Sequence, residues 1–459
     1  MLKSNLKNII GKKILIIGLG KSGIAAAQAL ITLGGDVTIQ DNKDKSKVEP
    51  QLLSYFDSKN IKYYLNEVPE DMTVFDMLVL SPGVPPNLDF IKEAKNSGAE
   101  IIGELEIAFR IGEGKYIAIT GTNGKTTTTT LVGEIFQKAG TNSSIAGNIG
   151  VALISESVKS SPDKWLITET SSFQLETIKY FNPEISAILN LTPDHLNRHK
   201  TMEAYGGAKA RIFENQAADE HLIINYDDKT CFELAKNAKS KIVPFSRLEK
   251  LEYGAYIDDG KIMIAEDKNK KIEICRVEQI KILGDHNLEN VLAASAISYF
   301  AGIDSVYITK GILEFNGVEH RIEYVGMVDG INYYNDSKGT NTDATIIALN
   351  AIKKNIILIA GGDGKNQNFD ELGKALVGKV KHLVLLGRDA NKIESSAKKA
   401  GISSIYVEKD MNACVARSYE LAEKDDNVLL SPACASWDMY YSFEQRGKHF
   451  KSCVALLNN

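Results

Sequence analysis

The sequence predicts an α/β protein of three domains, each a mostly parallel sheet with flanking helices. Short apolar runs alternate with amphipathic stretches of helix length through most of the chain, as is typical of parallel sheets. The 459 residues are also enough for about three domains with separate cores. We expect these domains to span 1–103, 104–316 and 317–459.

Composition and charge exclude several classes of protein. The chain has 54 basic and 59 acidic residues, a net charge of −5 and no basic stripe, so nucleic acid is not an expected partner. No stretch approaches the ~20 apolar residues that a membrane span needs. The five cysteines are scattered and form no Cys-x-x-Cys pair, which favours reduced thiols in a cytoplasmic protein without a zinc site. We expect a monomer.

The first domain opens with a turn that suits a nucleotide diphosphate. The strand Ile14–Ile17 leads into Gly18–Gly23, which satisfies Gly-x-Gly-x-x-Gly and precedes a helix. Asp41 closes the next strand, where an acid meets a ribose in dinucleotide-binding domains. The pattern therefore favours an NAD-dependent dehydrogenase, but the same helix start suits the diphosphate of a UDP-sugar equally well.

A second turn of the first domain follows the strand Met77–Leu80 and offers donors to the same diphosphate. Taken alone it is only a tight turn. The candidate ligand-binding residues of the two turns and the acid beside them are Gly20, Lys21, Ser22, Asp41, Ser81, Pro82 and Gly83.

The second domain begins with a phosphate-binding loop. The strand Tyr116–Ile119 precedes Thr120–Thr127, and the helix face of Leu131–Phe136 follows. Backbone N–H groups and the positive helix end converge on such a turn. Lys125 adds a full charge and the Thr126 hydroxyl is a magnesium ligand, so the loop predicts a nucleotide triphosphate site. The general pattern wants glycine at position 119, and the alternative is a turn that merely caps the helix.

Two further strands of this domain end in residues suited to metal binding. Glu169 follows Trp165–Thr168, and a strand over Ile185–Asn190 leads to His195. Because parallel strands end at the same edge of a sheet, these side chains are expected near Lys125 as magnesium ligands. A surface glutamate and a structural histidine are the alternatives. Farther on, Ala255–Arg276 alternates as an antiparallel hairpin does.

The third domain repeats the pattern of a strand followed by a polar turn. The strand Ile356–Ile359 leads into Gly361–Lys365, and Tyr333-Tyr334 leads into Asn335-Asp336. Ligands collect at such strand ends in open α/β sheets. Lys365 and Lys338 lie in these turns, where function concentrates, although solvated surface lysines are the alternative.

Taken together, the motifs resemble those of the Mur ligases and their folylpolyglutamate synthetase relatives. The matches cover residues 18 to 447, and the pair of first-domain turns is most similar to the D-glutamate-adding branch of the family. After the two turns of the first domain, the matching segments in chain order are Gly121–Thr127, Gly147–Gly150, Glu169–Leu175, Asp194–His199, Gly207–Phe213, Gly284–Asn290, His320-Arg321, Asp336–Asn341, Gly361–Lys365, Leu430–Asp438 and Phe443–Gly447. Gly339 and Trp437 depart from the family, where alanine and leucine are commoner.

The resemblance implies a Rossmann-like first domain, a P-loop-type ATPase second domain and a Rossmann-like third domain. It also implies ATP-driven amide formation between UDP-N-acetylmuramoyl-L-alanine and D-glutamate, through an acyl phosphate, in peptidoglycan precursor synthesis. Two magnesium ions are expected, one on Thr126 and Glu169 and the other on His195 and a carbamylated Lys209. Catalysis would rest on Lys125, Glu169, His195 and Lys209.

The resemblance assigns the remaining binding residues by the ligand that they would touch. For ATP they are Gly121, Thr122, Asn123, Gly124, Lys125, Thr126, Thr127, Asn287, Asn290, His320, Arg321 and Asp336. For the muramoyl-alanine arm and D-glutamate they are Asn148, Ser171, Gln174, Lys338, Thr340, Lys365, Ser436 and Phe443. The alternatives are another amino-acid ligase of the family, the dehydrogenase, and a nucleotide-binding module without catalysis.

Overall fold

A computed structural model of the chain describes residues 9–352, 354–365 and 367–457. It contains three sheets of five, nine and six strands with helices packed on them, which confirms the predicted three-domain α/β class. The chain divides into two compact units. The first comprises the described residues up to Gln279 with Leu288–Leu313, and the second comprises Ile280–Asn287 with the described residues from Glu314 onward. The predicted domain bounds at 103 and 316 stay a prediction.

The first sheet is wholly parallel, in the order β3-β2-β1-β4-β5. Ile14 and Ile16 pack into one apolar cluster and Leu15 and Ile17 into another, so both faces of the central strand are covered. Burial on both faces explains its unbroken apolar sequence. The strands are β1 (Lys13–Ile17), β2 (Asp36–Asp41), β3 (Lys62–Leu65), β4 (Met77–Leu80) and β5 (Glu100–Gly103).

The second sheet, also in the first unit, has the order β14-β13-β12-β11-β10-β9-β6-β8-β7 and is parallel from β7 to β12. Its last three strands are antiparallel, and Asp259 and Gly260 have the positive φ values, 46° and 69°, of a tight hairpin turn. The predicted hairpin is confirmed. The strands are β6 (Lys115–Thr120), β7 (Ser143–Gly147), β8 (Trp165–Glu169), β9 (Ile185–Ile188), β10 (His221–Asn225), β11 (Lys241–Ser246), β12 (Gly254–Asp258), β13 (Lys261–Ala265) and β14 (Lys271–Arg276).

The third sheet lies in the second unit, in the order β15-β16-β20-β17-β18-β19. Only the pair β15 and β16 is antiparallel, and β17 is buried along its whole length. The strands are β15 (Glu323–Val328), β16 (Ile331–Asn335), β17 (Ile356–Gly361), β18 (Val380–Leu386), β19 (Ile405–Val407) and β20 (Asn427–Leu430).

Helices connect most of the parallel strands and cover the sheets. No helix of the described residues is long and apolar enough to cross a membrane. The five cysteines are buried free thiols. The helices are α1 (Lys21–Thr32), α2 (Pro50–Ser58), α3 (Asp89–Asn96), α4 (Glu104–Ile111), α5 (Lys125–Lys138), α6 (Leu153–Ser157), α7 (Ser172–Leu175), α8 (Leu196–His199), α9 (Met202–Ala210), α10 (Lys229–Ala235), α11 (Asp285–Phe300), α12 (Ser305–Glu314), α13 (Thr342–Ile352), α14 (Asp370–Leu376), α15 (Ala390–Lys399), α16 (Met411–Leu421) and α17 (Phe443–Leu456).

Candidate active site

The turn after β1 is built by glycines and fixed by an acid. Gly18 has a φ of 98°, and a Cβ on Gly23 would lie 1.8 Å from the Gly18 carbonyl oxygen, so both positions require glycine. The Asp41 carboxylate accepts hydrogen bonds from the backbone N–H of Leu19 and of Lys43. Asp41 thus supports the turn itself, a structural use that its position in the sequence alone does not reveal.

The turn after β4 packs against the first one, at the point where the strand order of the sheet reverses. The Ser81 hydroxyl donates to the Gly18 carbonyl over 2.9 Å, and the Ser81 N–H donates to Ile17. Neither Gly20 nor Gly83 would meet any atom within 4 Å if it carried a Cβ, so both face open space. The two predicted turns therefore lie together at a topological switch point, where open sheets bind ligands.

The loop between β6 and α5 is hydrogen-bonded to Asn190, which follows the end of the neighbouring strand β9. Thr122 N–H donates to the Asn190 carbonyl and Asn123 N–H to the Asn190 side chain. Gly124 has a φ of 83° and caps α5 without a side chain. The Lys125 ammonium donates to the carbonyls of Gly121 and Thr122 over 2.9 and 2.8 Å. The backbone therefore has the form of a phosphate-binding loop.

Glu169 joins two other predicted residues to this loop. Its carboxylate accepts from the Thr126 hydroxyl over 2.9 Å through one oxygen and from the Asn148 amide over 2.8 Å through the other. The residue is only 2% exposed. The structure thus brings Thr126, Glu169 and Asn148 together at the carboxyl end of the second sheet, and Thr127 is buried in the first turn of α5.

Lys209 is a buried cation beside the same loop. Its ammonium donates to the Gly121 carbonyl over 2.8 Å and lies 4.7 Å from the centre of the Tyr205 ring. Burial, followed by the nearby Lys125 ammonium, lowers the pKa of Lys209 to about 7. Arg211 points elsewhere and donates to the carbonyls at the end of α7. At neutral pH such a lysine is present as the neutral amine in a large fraction of molecules, unlike an exposed lysine.

His195 lies near the Tyr205 ring. Its backbone has a φ of 53°, its side chain is half exposed, and its ring lies 4.9 Å from that of Phe173 and 6.3 Å from that of Tyr205. Tyr205 therefore neighbours both His195 and Lys209. The phenol also lies 3.3 Å from the Thr122 hydroxyl of the phosphate loop, a position that the sequence did not single out.

Ser171 and Gln174 pair with each other. The Ser171 hydroxyl accepts the Gln174 N–H, and the Gln174 side chain accepts the Ser171 N–H, which forms a capping box at the start of α7. Their proposed contact with the muramoyl-alanine arm stays a prediction. Beside them, Arg198 donates to Glu176 over 2.6 Å and to the carbonyls of Gly83 and Val84, so it ties this segment to the first-domain turn.

The side chains at the phosphate-binding loop suit magnesium better than a metal ion that takes all its ligands from the protein. Among the described residues no three His, Cys, Asp or Glu side chains converge on one point. Magnesium binds through one or two carboxylates together with water and substrate phosphates. The Thr126 hydroxyl and the Glu169 carboxylate, 2.9 Å apart, are the hard oxygen donors of that type.

The predicted adenosine residues fall on both sides of the unit division. In the first unit, Asn290 lies against the phosphate loop, since its side-chain oxygen accepts from the Thr128 hydroxyl. In the second unit, the Asn287 amide donates to the Leu283 carbonyl. His320 is buried with a φ of 66°, and its Nδ1 lies 2.9 Å from the Asn335 amide. Its Nε2 is buried, makes no hydrogen bond to the described residues and lies 3.7 Å from the Glu319 carboxylate.

Asp336 is a buried acid that makes no ion pair among the described residues. It accepts from the Ser431 hydroxyl over 2.7 Å, and burial raises the pKa of Asp336 to about 6, although the Arg321 cation acts in the opposite direction. A Cβ on Gly339 would lie 2.4 Å from the Asp336 carboxylate. Glycine in place of the commoner alanine is therefore the residue that this arrangement accommodates.

Arg446 forms hydrogen bonds to loops that carry the predicted D-glutamate residues. Its guanidinium is buried and donates to the Ser337 hydroxyl, to the Ser337 carbonyl and to the Cys434 carbonyl at 2.9–3.1 Å. The Ser337 hydroxyl in turn donates to the Phe443 carbonyl. The sequence motif Phe443–Gly447 contains this arginine. Arginine side chains are usually exposed, so the sequence did not indicate its burial.

The loops joined by Arg446 bring most of the predicted D-glutamate residues into one region of the second unit. The Lys338 ammonium lies 5.9 Å from the centre of the Phe443 ring, and Thr340 N–H donates to the Lys338 carbonyl. Ser436 is buried in the loop after β20. Lys365, on the turn after β17, is exposed.

Three family models match the sequence, and together they cover most of it. Residues 12–103 match the Mur ligase MurD-like N-terminal domain, 119–298 the Mur ligase middle domain, and 320–434 the Mur ligase glutamate ligase domain. Similar proteins match the chain over nearly its whole length. The UDP-N-acetylmuramoylalanine--D-glutamate ligase of Clostridioides difficile is 49% identical over 97% of this chain and 98% of its own length. The ligase of the same name from Caldanaerobacter subterraneus is 46% identical over 96% and 98%.

Solved structures of the same fold are more distant in sequence. UDP-N-acetylmuramate-alanine ligase MurC from Thermotoga maritima matches with a TM-score of 0.58 and 19% identity, over 97% of this chain and 99% of its own. A pseudomurein peptide ligase type C from Methanothermus fervidus also has a TM-score of 0.58 and 19% identity, over 97% and 100%. These likenesses support the fold.

Proposed function

Since the chain belongs to the Mur ligase family, we propose that it joins D-glutamate to UDP-N-acetylmuramoyl-L-alanine at the expense of ATP. The observation that carries this proposal is the full-length match, 49% identical over 97% of the chain, to a ligase of that name. The MurD-like N-terminal match at 12–103 points to the same branch of the family. The enzyme would act in peptidoglycan precursor synthesis, as a monomer in the cytoplasm.

The chemistry runs in two steps. The carboxylate of the alanine arm attacks the γ-phosphorus of ATP, which forms an acyl phosphate and releases ADP. The amine of D-glutamate then attacks the acyl carbon and loses a proton, and the tetrahedral intermediate expels phosphate as the amide forms. A free carboxylate is a poor acylating agent, so phosphorylation supplies the leaving group. The protein's task is to position the reactants and to neutralise charge.

Lys125 and the loop around it would hold the phosphates. The ammonium already lies against the backbone of Gly121 and Thr122, so the β- and γ-phosphates would meet a charge fixed in place. The N–H groups at the start of α5 add donors in the same direction. Gly121–Thr127 is therefore assigned to the ATP phosphates.

Thr126 and Glu169 would hold the first magnesium ion, and His195 with a carbamylated Lys209 the second. When bound, the ions would neutralise the charge that builds up on the transferring phosphoryl group. Asn148 shares the Glu169 carboxylate and would orient it, as a second partner of a metal ligand does.

Carbamylation of Lys209 is supported by the state of its amine. A neutral amine adds to carbon dioxide and loses a proton, which gives an anionic carbamate. The pKa of about 7 leaves much of the amine neutral at physiological pH, whereas an exposed lysine is almost wholly charged. An intact ammonium beside Lys125 would repel a magnesium ion, so the carbamate is the form that would serve as a ligand.

The substrates are assigned by the residues that the family pattern matches. The first-domain turns, with Gly20, Lys21, Ser22, Asp41, Ser81, Pro82 and Gly83, would bind the uridine diphosphate. Asn148, Ser171 and Gln174 would contact the muramoyl-alanine arm. Asn287, Asn290, His320, Arg321 and Asp336 would bind adenosine. Lys338, Thr340, Lys365, Ser436 and Phe443 would bind D-glutamate, whose two carboxylates need cationic and hydroxyl partners. The proposed domains are 1–103 for the uridine nucleotide, 104–316 for ATP and 317–459 for the amino acid.

The test is phosphate release from ATP with magnesium, UDP-N-acetylmuramoyl-L-alanine and one amino acid at a time. We expect release only when D-glutamate is present, with no turnover on L-glutamate, L-alanine or diaminopimelate. Omission of the uridine substrate or of magnesium should stop release in each case. Equal turnover with L-glutamate, or a preference for L-alanine, would assign the chain to another branch of the family.

A further inference from the structure

A lysine and an exposed tryptophan of the second unit form a cation–π contact. The Lys365 ammonium lies 4.1 Å from the centre of the Trp437 ring. Tryptophan gives the strongest contact of this kind, and it is favourable within about 6 Å of the ring centre. Trp437 is 66% exposed, so packing in the core does not explain a tryptophan at this position.

A backbone bridge joins the two loops that carry these side chains. Asp363 and Ala435 exchange two N–H to carbonyl hydrogen bonds of 2.9 Å, which joins the turn after β17 to the loop after β20. Lys365 and Trp437 each stand two residues beyond this bridge. Lys365 has a φ of 48°, and its N–H donates to the Asp363 carboxylate, so its backbone is set by the turn. The bridge thus ties together the two loops that carry the contact, and the turn at Lys365 directs its chain.

The contact holds the ammonium without cancelling its charge. Two carboxylates at this turn are committed elsewhere: Asp363 pairs with Arg388, and Asp389, which accepts the Gly364 N–H, pairs with Lys392. Within the described ranges, no carboxylate forms an ion pair with Lys365. A ring face attracts a cation through its quadrupole and leaves the full positive charge to meet an anion.

We propose that Trp437 is a positioning residue for D-glutamate, because its ring holds the Lys365 ammonium where a carboxylate of the amino acid is bound. This inference rests on the proposed function, which assigns Lys365 to D-glutamate. A held ammonium loses less side-chain freedom on binding than a free lysine, which raises affinity without a new contact. Trp437 thus acts through Lys365 and lowers the concentration of D-glutamate that the enzyme needs.

Steady-state kinetics of Trp437→Leu test the proposal. We expect KM for D-glutamate to rise about fivefold, from the loss of one cation–π contact, while kcat and KM for ATP and for the uridine substrate stay unchanged. Trp437→Phe keeps a weaker ring face and should give an intermediate KM. The matched control is Tyr441→Leu, an aromatic residue of the same loop that is 93% exposed, and it should behave as the wild type.

A double-mutant cycle separates positioning from a general disturbance of the loop. In a Lys365→Met background, Trp437→Leu should cause no further rise in KM for D-glutamate, because the cation is already absent. Fluorescence gives a second readout. The chain has two tryptophans, so in a Trp165→Phe background Trp437 is the sole tryptophan. Its emission under selective tryptophan excitation should change with Lys365→Met and with added D-glutamate.

The outcomes distinguish this inference from the proposed function. If the wild type releases no phosphate with D-glutamate, the proposed function fails, and the response of Trp437 emission to Lys365→Met still reports the contact. If the wild type is active but Trp437→Leu has an unchanged KM for D-glutamate, the positioning role is wrong. Additive effects of the two substitutions, or a fall in kcat alone, would overturn it as well.

Discussion

Two glycine-rich turns of the first unit, Gly18–Gly23 and Gly121–Thr127, start from the same backbone plan. Each follows a buried parallel strand and opens a helix, α1 or α5, at the carboxyl end of its sheet. Each therefore presents backbone N–H groups and a positive helix end to a phosphate. From their glycines alone, the two turns would be expected to have the same function.

The side chains around the turns differ. At the first turn the acid Asp41 accepts hydrogen bonds from the turn's own backbone and Ser81 donates to a carbonyl, so the polar groups build the turn. At the second turn Lys125, Glu169 and Lys209 converge with their charges close to the loop. The comparison indicates that a helix start is enough to bind a phosphate, whereas transfer of a phosphoryl group needs cationic and acidic side chains close to it.

The largest effect should come from Lys125→Ala, which we expect to lower kcat about 1000-fold because, in the proposed function, the lysine charge stabilises the transferring phosphoryl group. Circular dichroism and Tm should match the wild type, since the side chain contributes little packing. Lys21→Ala at the first turn should raise KM for the uridine substrate and leave kcat nearly unchanged. Substantial residual turnover in a folded Lys125→Ala variant would mean that the phosphates bind elsewhere.

Lys209→Ala should lower kcat about 100-fold, because the proposed second magnesium site would lose its carbamate ligand. Added short-chain carboxylates such as formate or acetate can occupy the vacated position, so activity should recover in part as their concentration rises. The control is Lys125→Ala, which the same carboxylates should not rescue. Full activity of Lys209→Ala without supplement would remove this residue from the mechanism.

Asp41→Ala tests the first turn. Loss of a charged acceptor for the N–H groups of Leu19 and Lys43 should raise KM for the uridine substrate about tenfold, while kcat stays near the wild-type value. Asp36→Ala, at the exposed opposite end of the same strand, is the matched control and should change neither constant. A fall in kcat with an unchanged KM would mean that the first turn takes part in phosphoryl transfer, contrary to the roles described for the two turns.

The smallest effect is on stability, at Glu104, which lies outside both turns. This buried acid caps α6 by accepting the Ile154 N–H, its other oxygen has no partner among the described residues, and burial raises the pKa of Glu104 to about 7. The protonated form is thus favoured in the folded state. Its stabilising contribution is present below pH 4.5 and is lost as the pH rises through 7.

Glu104→Gln removes this dependence on pH because the amide cannot ionise. We expect the variant to be more stable than the wild type at pH 8 by about 2 kcal/mol, seen as a Tm about 4 °C higher, and to match it near pH 4.5. Thermal melts at a series of pH values measure the difference. A gap that is equal at both ends of the series would mean that burial does not raise the pKa of Glu104.

The sequence predicted the fold and the phosphate loop because their signals are local. Apolar runs mark the strands, and the hairpin of β12 and β13 was visible from its alternation and from Gly260. The roles of Asp41 and Tyr205 were not visible, because they depend on partners far along the chain. Arg446 was missed as a linker for a related reason: only its burial between two loops shows what its guanidinium joins.

The central claim is that the first turn binds the uridine nucleotide and the second performs the transfer. Calorimetric titration of UDP-N-acetylmuramoyl-L-alanine into the Lys125→Ala variant tests it most directly, with NAD as the competing ligand. The account predicts that the uridine substrate binds with a Kd within about twofold of the wild-type value although turnover is lost, and that NAD gives no heat. Tight binding of NAD, or a large loss of affinity for the uridine substrate in this variant, would contradict the claim.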